Sequence, residues 1–280
     1  MQSWPAALEH VPLTSRLKHL PSAKPQTGLP WPAALASIPS ANAMMPFTNT
    51  ITAPFMSALL RRHLDLLLLF AIGVLLVAFP RIDIAFAGLF YDPFDGFYLR
   101  ENPFVRLVFN GVSWITRTVV VSLVLFLLAA WTIRRRHRFF SRQRRAALYL
   151  LLVMIIGPGL LVNTVFKDQW GRARPSQIEE FGGTKQFTRA AIPADQCEKN
   201  CSFVSGHASV GFFFLSFSFV WPRRRVLWFA AGAGLGLGIG LVRMMQGGHF
   251  ISDVIFCGIV VYLSARGLYA LMFAPAEPRS

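Results

Sequence analysis

"AALYLLLVMIIGPGLLVNTVFKDQWGRARP", residues 146 to 175, decides what kind of chain this is, because its two parts obey different chemistry. From Ala146 to Phe166 it carries no charge, and at about 1.5 Å per helical residue that length matches a hydrocarbon core roughly 30 Å thick. It then leaves that core through Lys167, Arg172 and Arg174 and stops on Pro175. A plain membrane exit needs one or two cations, so the cluster either anchors lipid headgroups in general or grips one particular anion.

The rest of the chain supports a membrane setting. Of 280 residues 54% are hydrophobic, mean hydropathy is +0.48, and apolar runs of bilayer length recur. The formal charge of +15 does not point to nucleic acid. Its cations sit in short clusters between apolar runs, at Arg61-Arg62, Arg134 to Arg145 and Arg223 to Arg225, as in cytoplasmic loops. No basic stripe interleaves with aromatics in a soluble module, so no nucleic-acid partner is expected.

Residues 1 to about 55 hold half of the 18 prolines and no sustained period, and are expected to be disordered. They lack the pattern of a signal peptide, and Met44, Met45 and Met56 offer later starts. Six spans follow, roughly Leu64–Phe79, Val112–Ile133, Ala146–Phe166, His207–Trp221, Val226–Met244 and Ile251–Phe273, within a domain covering 56–274 and followed by a short tail, 275–280. The first and fourth are short. If the basic clusters mark the inner side, both termini are cytoplasmic and the loops 82–111, 167–204 and 245–250 lie outside.

Smaller features have bland readings. Gly232, Gly236 and Gly240, four apart, let helices approach closely in lipid, and they lack the strand and spacing of a dinucleotide loop. "GPG" at 157–159 predicts a kink in the third span. Cys257 reads as packing. Cys197 and Cys201 share one polar loop, either as free thiols or as a small disulfide ring if the loop faces an oxidising compartment.

Three stretches meet on the outer side by topology alone. The first brings Lys167 and Arg174, seven apart and on one face if the segment stays helical. The second is "SFVSGHAS", 202–209, where Ser205-Gly206-His207 opens a helix, a natural seat for an anion. The third is "RMMQGGHFISD", 243–253, where His249 and Asp253 stack at i and i+4 so that the carboxylate can orient the ring. Together they supply three cations, two histidines, a carboxylate and a helix start, every role phosphoryl transfer needs, without the clustered ligands of a metal cage.

Lys167-x6-Arg174-Pro175, Ser205-Gly206-His207 and Arg243-x5-His249-x3-Asp253 resemble, in order, the three-part signature of the type-2 phosphatidic acid phosphatase superfamily, over about Leu64 to Phe273. Val204 and Val242 depart from its usual proline and serine. The resemblance implies an all-α, six-helix membrane enzyme without metal or other cofactor. By that resemblance His249 is the nucleophile, Asp253 holds its ring and His207 protonates the leaving oxygen. Lys167, Arg174, Ser205, Gly206 and Arg243 bind the phosphoryl oxygens, and Arg172 and Trp170 are left as neighbours at headgroup level. The wider stretch is similar to bacterial lipid A phosphatases and to relatives acting on phosphatidylglycerophosphate or undecaprenyl pyrophosphate. The expected substrate is a membrane lipid phosphate, lipid A at its 4' position before the others, met at the periplasmic face of a bacterial inner membrane, with no protein partner evident.

Overall fold

The computed structural model describes residues 52–132 and 138–273, with side chains for 63–130 and 143–273. The expected Pro-rich extension lies outside the described residues up to Ile51, as does the tail after Phe273. Among the described residues nine α-helical segments follow one another: α1 (Thr52–Ala78), α2 (Arg81–Gly88), α3 (Pro103–Thr132), α4 (Arg138–Met154), α5 (Lys167–Gln169), α6 (Gly206–Phe213), α7 (Phe217–Val220), α8 (Arg225–Met245) and α9 (Ile251–Phe273). Among the described residues there is no strand, only isolated bridges at Asp92–Gly96 and Ile178–Lys185.

Four helices among the described residues are long and apolar enough to cross a bilayer: Pro103–Ala130, Gln143–Gln169, Pro222–Met245 and Ile251–Phe273. The six expected spans therefore reduce to four by this measure, or five if α1 and α2 count as one broken span. Two physical causes explain the shortfall. Pro80, with no N–H to donate, sits at the junction where α2 turns 81° away from the His63–Ala78 part of α1. The segment Gly206–Val220 is apolar but short, and a 3-10 turn at Phe214–Ser216 separates α6 from α7. The kink expected at "GPG" takes the form of a π-helical stretch, Ile155–Phe166, with Pro158 inside it, and Asn163 Nδ2 donates to the Pro158 carbonyl at 2.7 Å.

α6 is the hub, packed against both α8 and α9. Its Ala208 and Phe212 join Val254, Cys257 and Val261 of α9 in the core. The approach to α8 is close enough to require glycine. A Cβ on Gly232 would stand 2.3 Å from the Leu215 nitrogen, and one on Gly236 would stand 2.3 Å from Phe212 Cδ1. By contrast α3 turns apolar side chains outward, with Leu107 69% and Trp114 67% exposed, as a lipid-facing helix does. Above the helices the loop 170–205 packs on the loop after α2 through Phe181 against Tyr91 and Phe97, at ring distances of 5.0 and 5.6 Å.

Candidate active site

The first stretch does not continue as a helix. α5 ends at Gln169, and Gly171, at φ +67°, is approached so closely by the loop at Ala194 that a Cβ would meet the Ala194 carbonyl oxygen at 1.7 Å. Arg174 is extended, at φ −82° and ψ 156°, so it does not share a helical face with Lys167 as the spacing suggested. The two still converge. Lys167 lies within electrostatic reach of Arg174 and Arg243, and a Cβ on Gly206 would fall 3.2 Å from its Nζ. The ammonium thus sits over the first residue of α6, where free backbone N–H groups and the positive helix end face the same space.

α6 begins there because Ser205 adopts φ −73° and ψ 105° before Gly206 turns helical. The Ser205 hydroxyl does not cap the helix; buried, it has no partner among the described residues. His207 stacks on Phe109 of α3 at 4.5 Å and 16°, and feels the charges of Arg243, His249, Lys167 and Arg174. Arg243 lies over the other part of this assembly, 4.6 Å from the Phe109 centroid and hydrogen-bonded through Nη1 to Gln246, its Nε without a partner among the described residues.

His249 sits in the turn between α8 and α9 and is fully buried. Its Nδ1 is 2.7 Å from the Ser202 carbonyl, which can only accept, so Nδ1 carries the proton and Nε2 keeps its lone pair. Nε2 has no partner among the described residues. Burial pushes this histidine down from the ordinary 6.5 to about 4, and the Asp253 carboxylate opposes the shift from 3.7 Å. The imidazole is therefore neutral near pH 7, as a nitrogen nucleophile must be. The ring is oriented chiefly through the Ser202 carbonyl; Asp253 acts on it as a nearby charge.

Arg172 overturns its expected place at headgroup level. It is 0% exposed and bonds Asp253 at 2.5 Å and Asp83 of α2 at 2.7 Å. Burial alone would lower its proton affinity, but the two carboxylates outweigh burial and raise it. Removing one partner of so buried a pair typically costs about 3–5 kcal/mol, because the other charge is stranded. Trp170 is also drawn inward, stacked on Phe203 at 5.2 Å. Sequence reasoning missed Asp83, Ser202 and Phe109 as well. The one available signal was Asp83, a lone carboxylate within the otherwise apolar "IDIAFAG".

The loop that carries these groups is tied in three ways. Cys197 and Cys201 are disulfide-bonded, with Cα atoms 5.6 Å apart. The Asn200 carbonyl accepts from Arg174 Nη2 at 2.7 Å, and the Cys201 N–H donates to the Lys167 carbonyl at 2.9 Å. A cleft of about 730 Å³ opens here, with Arg174, Arg243 and Gly248 in its wall and Arg100, Arg106 and Lys199 at its edge. Burial and the facing charge of Arg100 push Arg174 below the ordinary arginine range, a crowding of cations that a dianion would relieve.

The PAP2 superfamily profile matches residues 146–276. A lipid A 4'-phosphatase of Francisella tularensis subsp. novicida is 40% identical over 224 residues, covering 76% of this chain and 96% of the relative. A lipid A 4'-phosphatase of Rhizobium leguminosarum is 33% identical over 217 residues, 71% of this chain and 89% of the relative. A lipid A 1-phosphatase of Rhizobium johnstonii is 34% identical over 141 residues, 48% of this chain and 53% of the relative. No solved structure matches at a significant level. With two lipid A 4'-phosphatases matched over 89% and 96% of their length, and with both histidines and all three cations gathered at the end of one helical bundle, the chain belongs to the PAP2 superfamily.

Proposed function

We propose that this membrane phosphatase removes a phosphate monoester from lipid A, at the 4' position, working from the periplasmic face through a phosphohistidine and without a metal ion. The observation that carries the reading is the free, proton-less Nε2 of His249 beside a cradle of Lys167, Arg174 and Arg243. Nε2 attacks phosphorus as the P–O bond to the lipid breaks, and His207 gives its proton to the departing alkoxide. His207 then takes a proton from water, whose oxygen attacks phosphorus, the P–N bond breaks and inorganic phosphate leaves. The cations and the N–H groups at the start of α6 hold the equatorial oxygens while charge moves across them. The basic clusters between the apolar runs support an orientation with both termini inside, and the broken α1–α2 pair and the short α6–α7 segment complete six membrane-embedded segments.

The 4' position is supported by the reach of the likeness. The relatives named for it align over 71–76% of this chain, against 41–48% for those named for position 1. Purified in detergent with EDTA, the protein should release free phosphate from lipid A and retain the 1-phosphate. His249→Ala should reduce the rate on the order of 10³-fold or more. Phosphate release that survives the substitution would remove His249 from its role. A panel with phosphatidylglycerophosphate and undecaprenyl pyrophosphate tests the substrate, and phosphate appearing only on a second lipid would replace hydrolysis by transfer.

A further inference from the structure

Asp253 is engaged on every side. Its Oδ1 accepts from Arg172 Nη1 at 2.5 Å, and its Oδ2 accepts from the Ser202 hydroxyl at 2.5 Å and the Phe250 N–H at 2.8 Å. Arg172 is fixed just as fully. Nη2 donates to Asp83 at 2.7 Å, Nη1 also to the Ser252 hydroxyl at 2.9 Å, and Nε to the Thr188 carbonyl at 2.9 Å. The Phe250 ring lies 4.3 Å from its guanidinium. Asp83 accepts in addition the Ser252 N–H at 2.9 Å and hydroxyl at 2.6 Å. Asp83, Arg172, Ser252 and Asp253 are all at most 1% exposed, so water screens none of these charges.

The charge count of this cluster is informative. A guanidinium bonded to Asp253 alone would cancel its charge and leave nothing to stabilise a cationic His249. With Asp83 as second partner, two carboxylates face one guanidinium, and one negative charge is left beside the imidazole. That charge matches the positive charge a nitrogen nucleophile acquires when it bonds to phosphorus.

We infer that Arg172 and Asp83 are positioning residues for the phosphoryl-transfer step: Arg172 aims the Asp253 carboxylate, and Asp83, from outside the three signature stretches, takes up the arginine's charge so that Asp253 keeps its own for His249. This rests on His249 as nucleophile. It also gives the break between α1 and α2 a purpose, since the turn at Pro80 is what delivers Asp83 to this end of the bundle.

The test is steady-state kinetics on lipid A with folded, monodisperse variants. Arg172→Met leaves two buried carboxylates facing each other, and one takes a proton. The groups facing them are His249, Arg174 and Cys257 around Asp253, and Ser252 on α9 around Asp83. Expected for Arg172→Met is a fall in kcat of about 10²-fold, with KM within about threefold, because the site is misaligned and not emptied. Its kcat should climb with pH where the wild type is flat. Asp83→Asn should lower kcat about tenfold, again at nearly constant KM. The double variant restores a single carboxylate, so it should be more active than Arg172→Met alone and lose the climb with pH. Arg172→Lys should lie between.

An Arg172→Met enzyme with wild-type kcat, a change confined to KM, or additive losses in the double variant would overturn the inference. Should Arg172→Met fail to fold, Asp83→Asn and Arg172→Lys decide on the same kcat-against-KM criterion. A wild type that releases no phosphate sinks the proposed function and this inference together. An active wild type, silenced by His249→Ala but indifferent at Arg172 and Asp83, sinks only this one.

Discussion

A buried imidazole has to commit to one tautomer, and at His249 the Ser202 carbonyl makes the choice. The same serine's hydroxyl holds Asp253, so one residue sets both the ring and its counter-charge. This commitment links folding to pH. In the fold His249 takes a proton only near pH 4, against an ordinary 6.5. The unfolded chain therefore binds that proton first as pH falls, and the stability it contributes is complete above about 6.5 and lost on the way down to about 4. The melting temperature in detergent should drop between pH 7 and 4.5, and drop less in His249→Gln; equal slopes would assign the loss to other groups. Residue spacing made His249, Asp253, His207 and the three cradle cations legible, because their signature is local to three short stretches. It did not reveal Arg172, whose partners lie 81 and 89 residues away along the chain. In a run of three cations a buried arginine and an interfacial one look the same.

At the scale of elements, hydropathy located every apolar segment, since length and charge-free composition are properties of a run. It could not show which runs stay straight. A short apolar segment such as Gly206–Val220 reads like a span, yet it sits among α8, α9 and the π-helical stretch and breaks at Phe214. The glycine stripe of α8 was legible as packing, because small residues four apart have few other uses in lipid. The structure sharpens this reading into a contrast. On the inner face, Gly232→Ala would press a methyl to 2.3 Å from the Leu215 nitrogen, and a backbone atom cannot step aside. Gly234 and Gly238 have nothing within 4 Å of the corresponding position. Overpacking of this kind costs about 1–3 kcal/mol, which for a domain of this size lowers the melting temperature by roughly 3–10 °C. Gly234→Ala and Gly238→Ala, at open helical positions, should leave the melting temperature unchanged or raise it by about 1–4 °C. Equal effects at all three positions would show that α8 does not meet the 3-10 turn after α6 by this face.

Across the whole molecule the charges divide by end. Lys167, the start of α6 and the turn from α8 to α9 meet at one end, where Asp83 also arrives. Helices of 30, 21 and 23 residues, α3, α8 and α9, run between it and the far end. The far end holds Arg144, Arg145 and Arg223 to Arg225, and there Asp65 of α1 pairs with Arg266 and Tyr262 of α9. Clustered arginines favour the cytoplasmic side, so the site end is expected to face the periplasm, where a disulfide between Cys197 and Cys201 is chemically at home. Single cysteines at two exposed positions test this arrangement. Glu101 stands at the edge of the cleft and Arg224 between α7 and α8. In intact cells stripped of their outer membrane, a membrane-impermeant maleimide should label Glu101→Cys at once and Arg224→Cys only after lysis. Labelling of both before lysis, or in the reverse order, would place the cradle on the wrong side for a lipid phosphate of the outer leaflet.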